Sequence, residues 1–221
     1  MKPIIFSTPM VQAILDGRKT QTRRVIIPQP DRFFEVDDTP GNFHLYDVEW
    51  GLGQIYPKYQ VGDILWVRET WYYEEHMHDL TEGEPDLASG RYSHRYVYKA
   101  DNRDYPVNVG VGEHGWKPSI HMPREAARLF LRVKNVRVER LQEITPVEVV
   151  AEGMGAHECR ECIATYGNPC CQDEESECGL GDEILGDFRE LWNSLNAKRG
   201  YGWDTNPWVW VIEFEREEVE E

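Results

Sequence analysis

The spacing of apolar and polar positions changes period several times along the chain, and each change marks an element. Thr8 is a good N-cap, Pro9 suits a first helical position, and Met10, Val11, Ile14 and Leu15 share one helical face before Gly17 ends the helix. From Thr22 to Ile27 the pattern is that of a strand, after which Pro28, Pro30, Pro40 and Gly41 break the chain into a long irregular connection containing the alternation Tyr46, Val48, Trp50. Gly62-Asp63 turns into an apolar and aromatic strand, Ile64 to Glu69, and Tyr96 to Tyr98 forms another short one. Between them, residues at about 74–94 are polar and read as a surface loop.

The clearest strand signal covers 129–141. Leu129, Leu131 and Val133 lie on one parity and Val136 and Val138 on the other, so the phase slips near Asn135. A one-residue slip inside an alternating strand is the mark of a β-bulge, which bends the strand as a curved sheet or small barrel requires. Thr145-Pro146-Val147-Glu148 is a capping box with proline at the first helical position, and Gly153 is placed to close that helix. Leu185, Phe188, Leu191, Trp192 and Leu195 predict a second amphipathic helix. In the last strand Trp208, Trp210, Ile212 and Phe214 alternate with Val209 and Val211, two apolar faces that predict a central position. Several strands, three short helices, no internal repeat and no βαβ rhythm point to an α+β fold with a curved mixed sheet and one bulged strand, forming a single domain over 1–221.

Composition alters this picture mainly through charge. The 221 residues carry a net charge of −16, which argues against nucleic acid until its distribution is considered. Residues 157–190 hold ten acids against Arg160 and Arg189, and residues 213–221 hold six glutamates against Arg216, so these two segments account for 13 of the 16 charges. In contrast, residues 18–24 carry a charge of +4 and residues 116–140 a charge of +5. A basic face on an acidic protein is therefore compatible with the totals. No stretch reaches the ~18 apolar residues a spanning helix needs, and nothing resembles a signal peptide, so the expectation is a cytoplasmic protein without a membrane partner. Five cysteines, an odd number crowded into 159–178, argue in the same direction against a secreted disulfide framework.

The most informative chemistry is Gly17-Arg18-Lys19-Thr20-Gln21-Thr22-Arg23-Arg24, four cations and hydroxyls placed directly after a helix. This octapeptide resembles a signature of the ASCH family. The resemblance extends to the Gly62–Glu69 strand, the Leu141-Gln142-Glu143-Ile144-Thr145 run into Glu152, and the Trp208–Phe214 ending. Pro118-Ser119-Ile120-His121-Met122-Pro123-Arg124 is similar to a segment of the ASCH proteins often found in phages and prophages. The resemblance does not cover the acidic cysteine segment.

Membership of that family implies a PUA-like small β-barrel with short flanking helices and a pocket for RNA, nucleosides or modified bases. Some small members are amidohydrolases that remove the acetyl group of N4-acetylcytidine with a lysine, a threonine and a glutamate, which by motif are Lys19, Thr22 and Glu152 here. As chemistry, Thr22 attacks the acyl carbonyl, Lys19 activates it, and Glu152 protonates the leaving exocyclic nitrogen. Lys19 acts as a base only with a lowered pKa, to which Arg18, Arg23, Arg24 and burial contribute. Residues 19 and 22 point to opposite faces of an ideal strand, so the mechanism also requires a turn or bulge at Thr20-Gln21. The alternatives are a non-catalytic module that binds RNA or a modified base, and a phage regulatory or interaction protein.

Further candidate substrate contacts are Arg18, Arg23, Arg24, Glu69, Trp71, Lys117, His121 and Arg124, with Trp66, Trp116 and Trp203 as other rings able to stack on a base. Glu69, between Arg68 and Thr70, also has a structural reading, pairing with an arginine. His76-x-His78 is a sparse metal pattern that a solvated loop explains better. In the insert at about 157–181, Cys159, Cys162, Cys170, Cys171 and Cys178 have the spacing of a structural zinc site in which at most four ligate, with His157 in reserve. Such a metal would order a segment with little apolar content and would take no part in catalysis, for which no cofactor is expected.

Overall fold

The computed structural model describes residues 1–30, 34–37, 44–47, 54–76, 93–101, 115–154 and 180–217. The strands are β1 (Lys2–Ile5), β2 (Gln21–Val25), β3 (Phe34–Asp37), β4 (His44–Asp47), β5 (Gln54–Ile55), β6 (Ile64–Arg68), β7 (Trp71–His76), β8 (Ser93–Tyr98), β9 (Phe130–Arg140) and β10 (Trp208–Glu217), and the helices are α1 (Thr8–Leu15), α2 (Pro146–Ala151) and α3 (Leu180–Asn196). The chain divides into two compact units, one of Met1–Lys2, Ala13–Leu65 and Phe130–Glu221, the other of Pro3–Gln12 and Trp66–Leu129.

In the first unit β10 lies between β9 and β2, antiparallel to both, as its two apolar faces predict. The expected bulge is present. Glu213 pairs with Asn135 but Phe214 pairs with Val133, so Lys134 is the extra residue that shifts the parity of β9. One face of these strands carries Val209 and Val211, which pack with Leu141, Ile144 and Val149 and with Ile184, Phe188 and Trp192 of α3. The helix buries the i, i+4, i+8 row that starts at Ile184, so Leu195, one of the apolar residues that predict the helix, is 55% exposed. The capping box of α2 forms as expected: the Thr145 side chain accepts from the Glu148 amide and the Glu148 carboxylate accepts from the Thr145 amide, and Gly153 follows with φ +87°. A separate antiparallel sheet has the order β3-β4-β5.

The second unit holds the antiparallel β7–β8 pair, with Trp71 opposite Tyr98 and Tyr73 opposite Tyr96. Trp71 packs on Met122 and Ala126, which are held by two 3₁₀ turns, Ser119–His121 and Arg124–Ala126. β7 runs on to His76, three residues into the stretch expected to be loop; alternating aromatic residues opposite β8 outweigh the polar sequence there. Residues 77–92 lie outside the described residues.

The architecture is thus mixed α and β, with a mixed sheet and few helices, and among the described residues the strands do not close into a barrel. Among the same residues, no helix is long and apolar enough to cross a membrane. The buried row of α3 makes a direct prediction. Phe188→Ala should destabilise the protein by about 3–5 kcal/mol in urea unfolding, whereas Leu195→Ala should stay within about 0.5 kcal/mol of the parent.

Candidate functional site

Two chain reversals bring the site residues of the first unit together. The first follows α1, where Gly17 at φ +74° lets the chain turn so that the amides of Arg18 and Lys19 both donate to Ala13 O, at 2.9 and 3.0 Å. The Thr20 amide then donates to Ala151 O at 2.9 Å, and Thr20 O accepts from the Phe214 amide at 2.8 Å. Lys19 therefore sits on a turn that precedes β2, not on the strand itself. The second reversal follows α2 at Gly153, whose backbone passes so close that an added Cβ would lie 2.8 Å from Ala13 Cβ and 2.9 Å from Lys19 Cβ. Arg18 Nη1 donates to Gly153 O at 3.3 Å and Arg18 Nη2 pairs with Asp16, so this cation clamps the second reversal to the first.

The side chain of Lys19 is fully buried, and its ammonium meets three acceptors: Gln21 O at 2.8 Å, Glu152 O at 2.7 Å and Glu152 Oε2 at 3.0 Å. The other carboxylate oxygen, Oε1, accepts from Arg23 Nη1 at 3.2 Å. Arg23 is also buried, and its Nη2 lies 3.0 Å from both Glu139 Oε2 and Glu148 Oε2, while its Nε has no acceptor among the described residues. Arg137 completes the chain of charges, pairing with Glu139, Glu148 and Glu213. Burial pulls the Lys19 ammonium below its ordinary value; Glu152 opposes this, and Arg24 and Arg23 reinforce it. Burial alone would raise the Glu148 carboxyl, but the Thr145 amide, Arg23 and Arg137 outweigh it and leave Glu148 below the ordinary 4.5.

Alternation along β2 sorts the remaining candidates. Gln21 and Arg23 lie on the face of Val209 and Val211, where Gln21 Nε2 reaches Glu148 O at 3.0 Å. Thr22 and Arg24 pair with Ile212 and Trp210 on the other face, and Thr22 is buried there. Burial draws the Arg24 guanidinium below its ordinary value, against the pull of Glu152 and Tyr59. Next to Gln21, Glu148 and Ala151 an open groove of about 470 Å³ reaches the bulge at Lys134 and is bordered by Arg137, Glu213 and Glu215.

Glu69, Trp71, Lys117, His121 and Arg124 belong to the second unit. Glu69 is 1% exposed and accepts a two-pronged bond from Arg128, Nε to Oε1 at 2.9 Å and Nη2 to Oε2 at 3.0 Å, which is the structural pairing considered from sequence. Burial raises the Glu69 carboxyl above its ordinary value despite Arg128. Arg128 also pairs with Asp101 and lies 3.9 Å from the centre of the Tyr98 ring; burial pushes that phenol up to about 12. Trp71 is buried with its Nε1 unpartnered among the described residues, and the Lys117 ammonium is 4.9 Å from the ring centre. His121 and Arg124 are exposed on the 3₁₀ turns. The five cysteines, His157 and His78 lie outside the described residues. No family model matches the chain, and no curated protein or solved structure matches it either.

Three partners were not picked out by sequence reasoning: Glu139, Glu148 and Arg137. A signal existed, since Glu148 and Glu152 are spaced i, i+4 on one helix face, and Arg137 and Glu139 share a parity with Val209 and Val211 through the strand register. Two measurements check the geometry. Gly153→Ala combines a strained left-handed backbone with contact on Lys19, and should cost about 2 kcal/mol or more in chemical unfolding. Because Glu148 is held below its unfolded value, its contribution is complete above pH 4.5 and fades as pH falls through the lowered folded value; Glu148→Gln should flatten that limb of the stability–pH curve.

Proposed function

We propose that this chain is an ASCH-type protein with a PUA-like barrel that takes RNA or a modified nucleoside and hydrolyses an acyl group from a base's exocyclic amine. The observation that carries this reading is the buried Lys19–Glu152 pair, 3.0 Å apart and built on two turns. A lysine ammonium with a lowered pKa, in contact with a carboxylate, is a proton relay in waiting. Lys19, as the free amine, takes the proton from the Thr22 hydroxyl as Oγ1 attacks the acyl carbon. The proton passes to Glu152 and on to the nitrogen as the C–N bond breaks. Water then attacks the Thr22 ester, releasing the acid and restoring the hydroxyl. Arg24 and Arg18 supply positive charge for the oxyanion or for a phosphate. The role of Thr22 rests on the family resemblance, since its strand position faces away from Gln21 and Arg23. A cytoplasmic protein of phage or prophage type is the setting that this reading gives, and zinc in the cysteine segment would order the insert alone.

A second reading draws on one specific observation, that all three ammonium protons of Lys19 have acceptors within the protein. In that case Lys19 stays charged, and the protein binds RNA or a modified base without turnover. Acetate release from N4-acetylcytidine separates the two. Hydrolysis that falls about 100-fold or more in both Lys19→Ala and the near-isosteric Thr22→Val supports catalysis. Absence of turnover, with RNA binding that weakens as salt rises, supports the binding module.

A further inference from the structure

The carboxylate of Glu152 is divided, with one oxygen for each of two cations. Oε2 faces Lys19 at 3.0 Å and Oε1 faces Arg23 at 3.2 Å. We propose that Arg23 is a positioning residue for this pair: its Nη1, steadied by the carboxylates on Nη2, fixes the plane of the Glu152 carboxylate and takes up charge that would otherwise fall on Lys19, so that Lys19 gives up its proton more readily.

The groups facing the pair come from three elements. α2 contributes Glu148 and Glu152, β2 contributes Arg23 and Arg24, and β9 contributes Glu139 and Arg137. Arg23 is the member that bridges them. Its two outer nitrogens reach all three carboxylates, Glu152, Glu139 and Glu148, so the guanidinium cannot swing away from Glu152 without leaving the other two. Arg137 meanwhile holds Glu139 and Glu148 from the far side. This limits how far those two carboxylates can pull Arg23 off Oε1. The arrangement also tolerates a cost. Arg23 Nε is buried without an acceptor among the described residues, so the guanidinium is placed for the carboxylates and not for its own full satisfaction. Glu148 additionally closes the capping box of α2, which ties the start of that helix to the charge state at its end. A single ammonium at position 23 could not span these partners, because it lacks the fork.

The titration of Lys19 is open to measurement whether or not the pair hydrolyses anything; only its consequence for catalysis rests on the function proposed above. The probe is the Lys19 ¹³Cε resonance followed against pH in the full-length protein. Arg23→Gln removes the bond to Glu152 Oε1 and should raise the proton affinity of Lys19 by about tenfold or more. Arg137→Gln, at a half-buried position that tolerates change better, lets Glu139 and Glu148 draw Arg23 away from Oε1, and should raise it by about two- to threefold. A Lys19 midpoint within about twofold of the parent in folded Arg23→Gln, with the fold checked by amide spectra, overturns the proposal. If Arg23→Gln does not fold, Arg137→Gln decides: an unmoved midpoint there overturns it, and a rise supports it. Should hydrolysis be found, the alkaline midpoint of its pH profile must move with the resonance; absence of hydrolysis removes the functional reading and leaves the titration result standing.

Discussion

One buried carboxylate, that of Glu152, must be satisfied from two sides at once, and much of the first unit is arranged to do so. The charges of Lys19 and Arg23 are both removed from water, and such burial is tolerable only when geometry and further hydrogen bonds compensate it. The compensation is local and specific. Lys19 reaches two backbone carbonyls besides the carboxylate, and Arg23 reaches two more carboxylates. A buried network of this kind contributes little net stability relative to apolar packing, yet removing one member leaves an uncompensated charge that costs about 3–5 kcal/mol. It therefore dictates a unique arrangement more than it strengthens the fold.

The surrounding structure supplies the precision. α2 is short, and its position comes from a capping box at one end, the apolar contacts of Val149 in its middle and a left-handed glycine beyond its last turn. Glu152 occupies the C-cap of that helix, so every one of these features acts on its carboxylate. On the sheet beneath, one face mixes two characters: Val209 and Val211 pack in the cluster with α3, while Glu139 beside Val209, Arg23 and Arg137 on either side of Val211, and Glu213 next along β10 carry charge. The apolar part anchors the helices; the charged part builds the site. The extra residue at Lys134 falls where the groove beside α2 meets β9, which is where a bulge most readily re-aims side chains.

Much of this was legible in the sequence where a single period or a local motif fixes the outcome. The capping box at Thr145, the glycine stops, the slipped parity near Asn135 and the two-faced last strand each depend on a few adjacent residues, and each appears as expected. Lys19 and Glu152 were identified through family resemblance, and the structure brings them together across a sequence separation of 133. Less was legible where the partner is distant. Nothing adjacent to Arg23 announces Glu139, because their proximity arises from the register of β2 and β9 on β10. The end of β7 and the exposure of Leu195 do not follow from the local pattern for a related reason: polar strand residues and surplus apolar helix residues are assigned by tertiary neighbours. Glu69 shows a single residue with two sequence readings, of which the structure displays the ion pair with Arg128.

In the function proposed above, the Lys19–Glu152 pair transfers protons during a reaction and is not only a tether. The most direct measurement is the pH dependence of acetate release from N4-acetylcytidine, set beside the NMR titration of Lys19 in the same protein. The proposed relay requires that the rate rise with pH as Lys19 loses its proton, with a midpoint that matches the resonance and lies below the ordinary lysine value of 10.5. A rate that stays flat across the Lys19 midpoint, or no release at any pH, would contradict it.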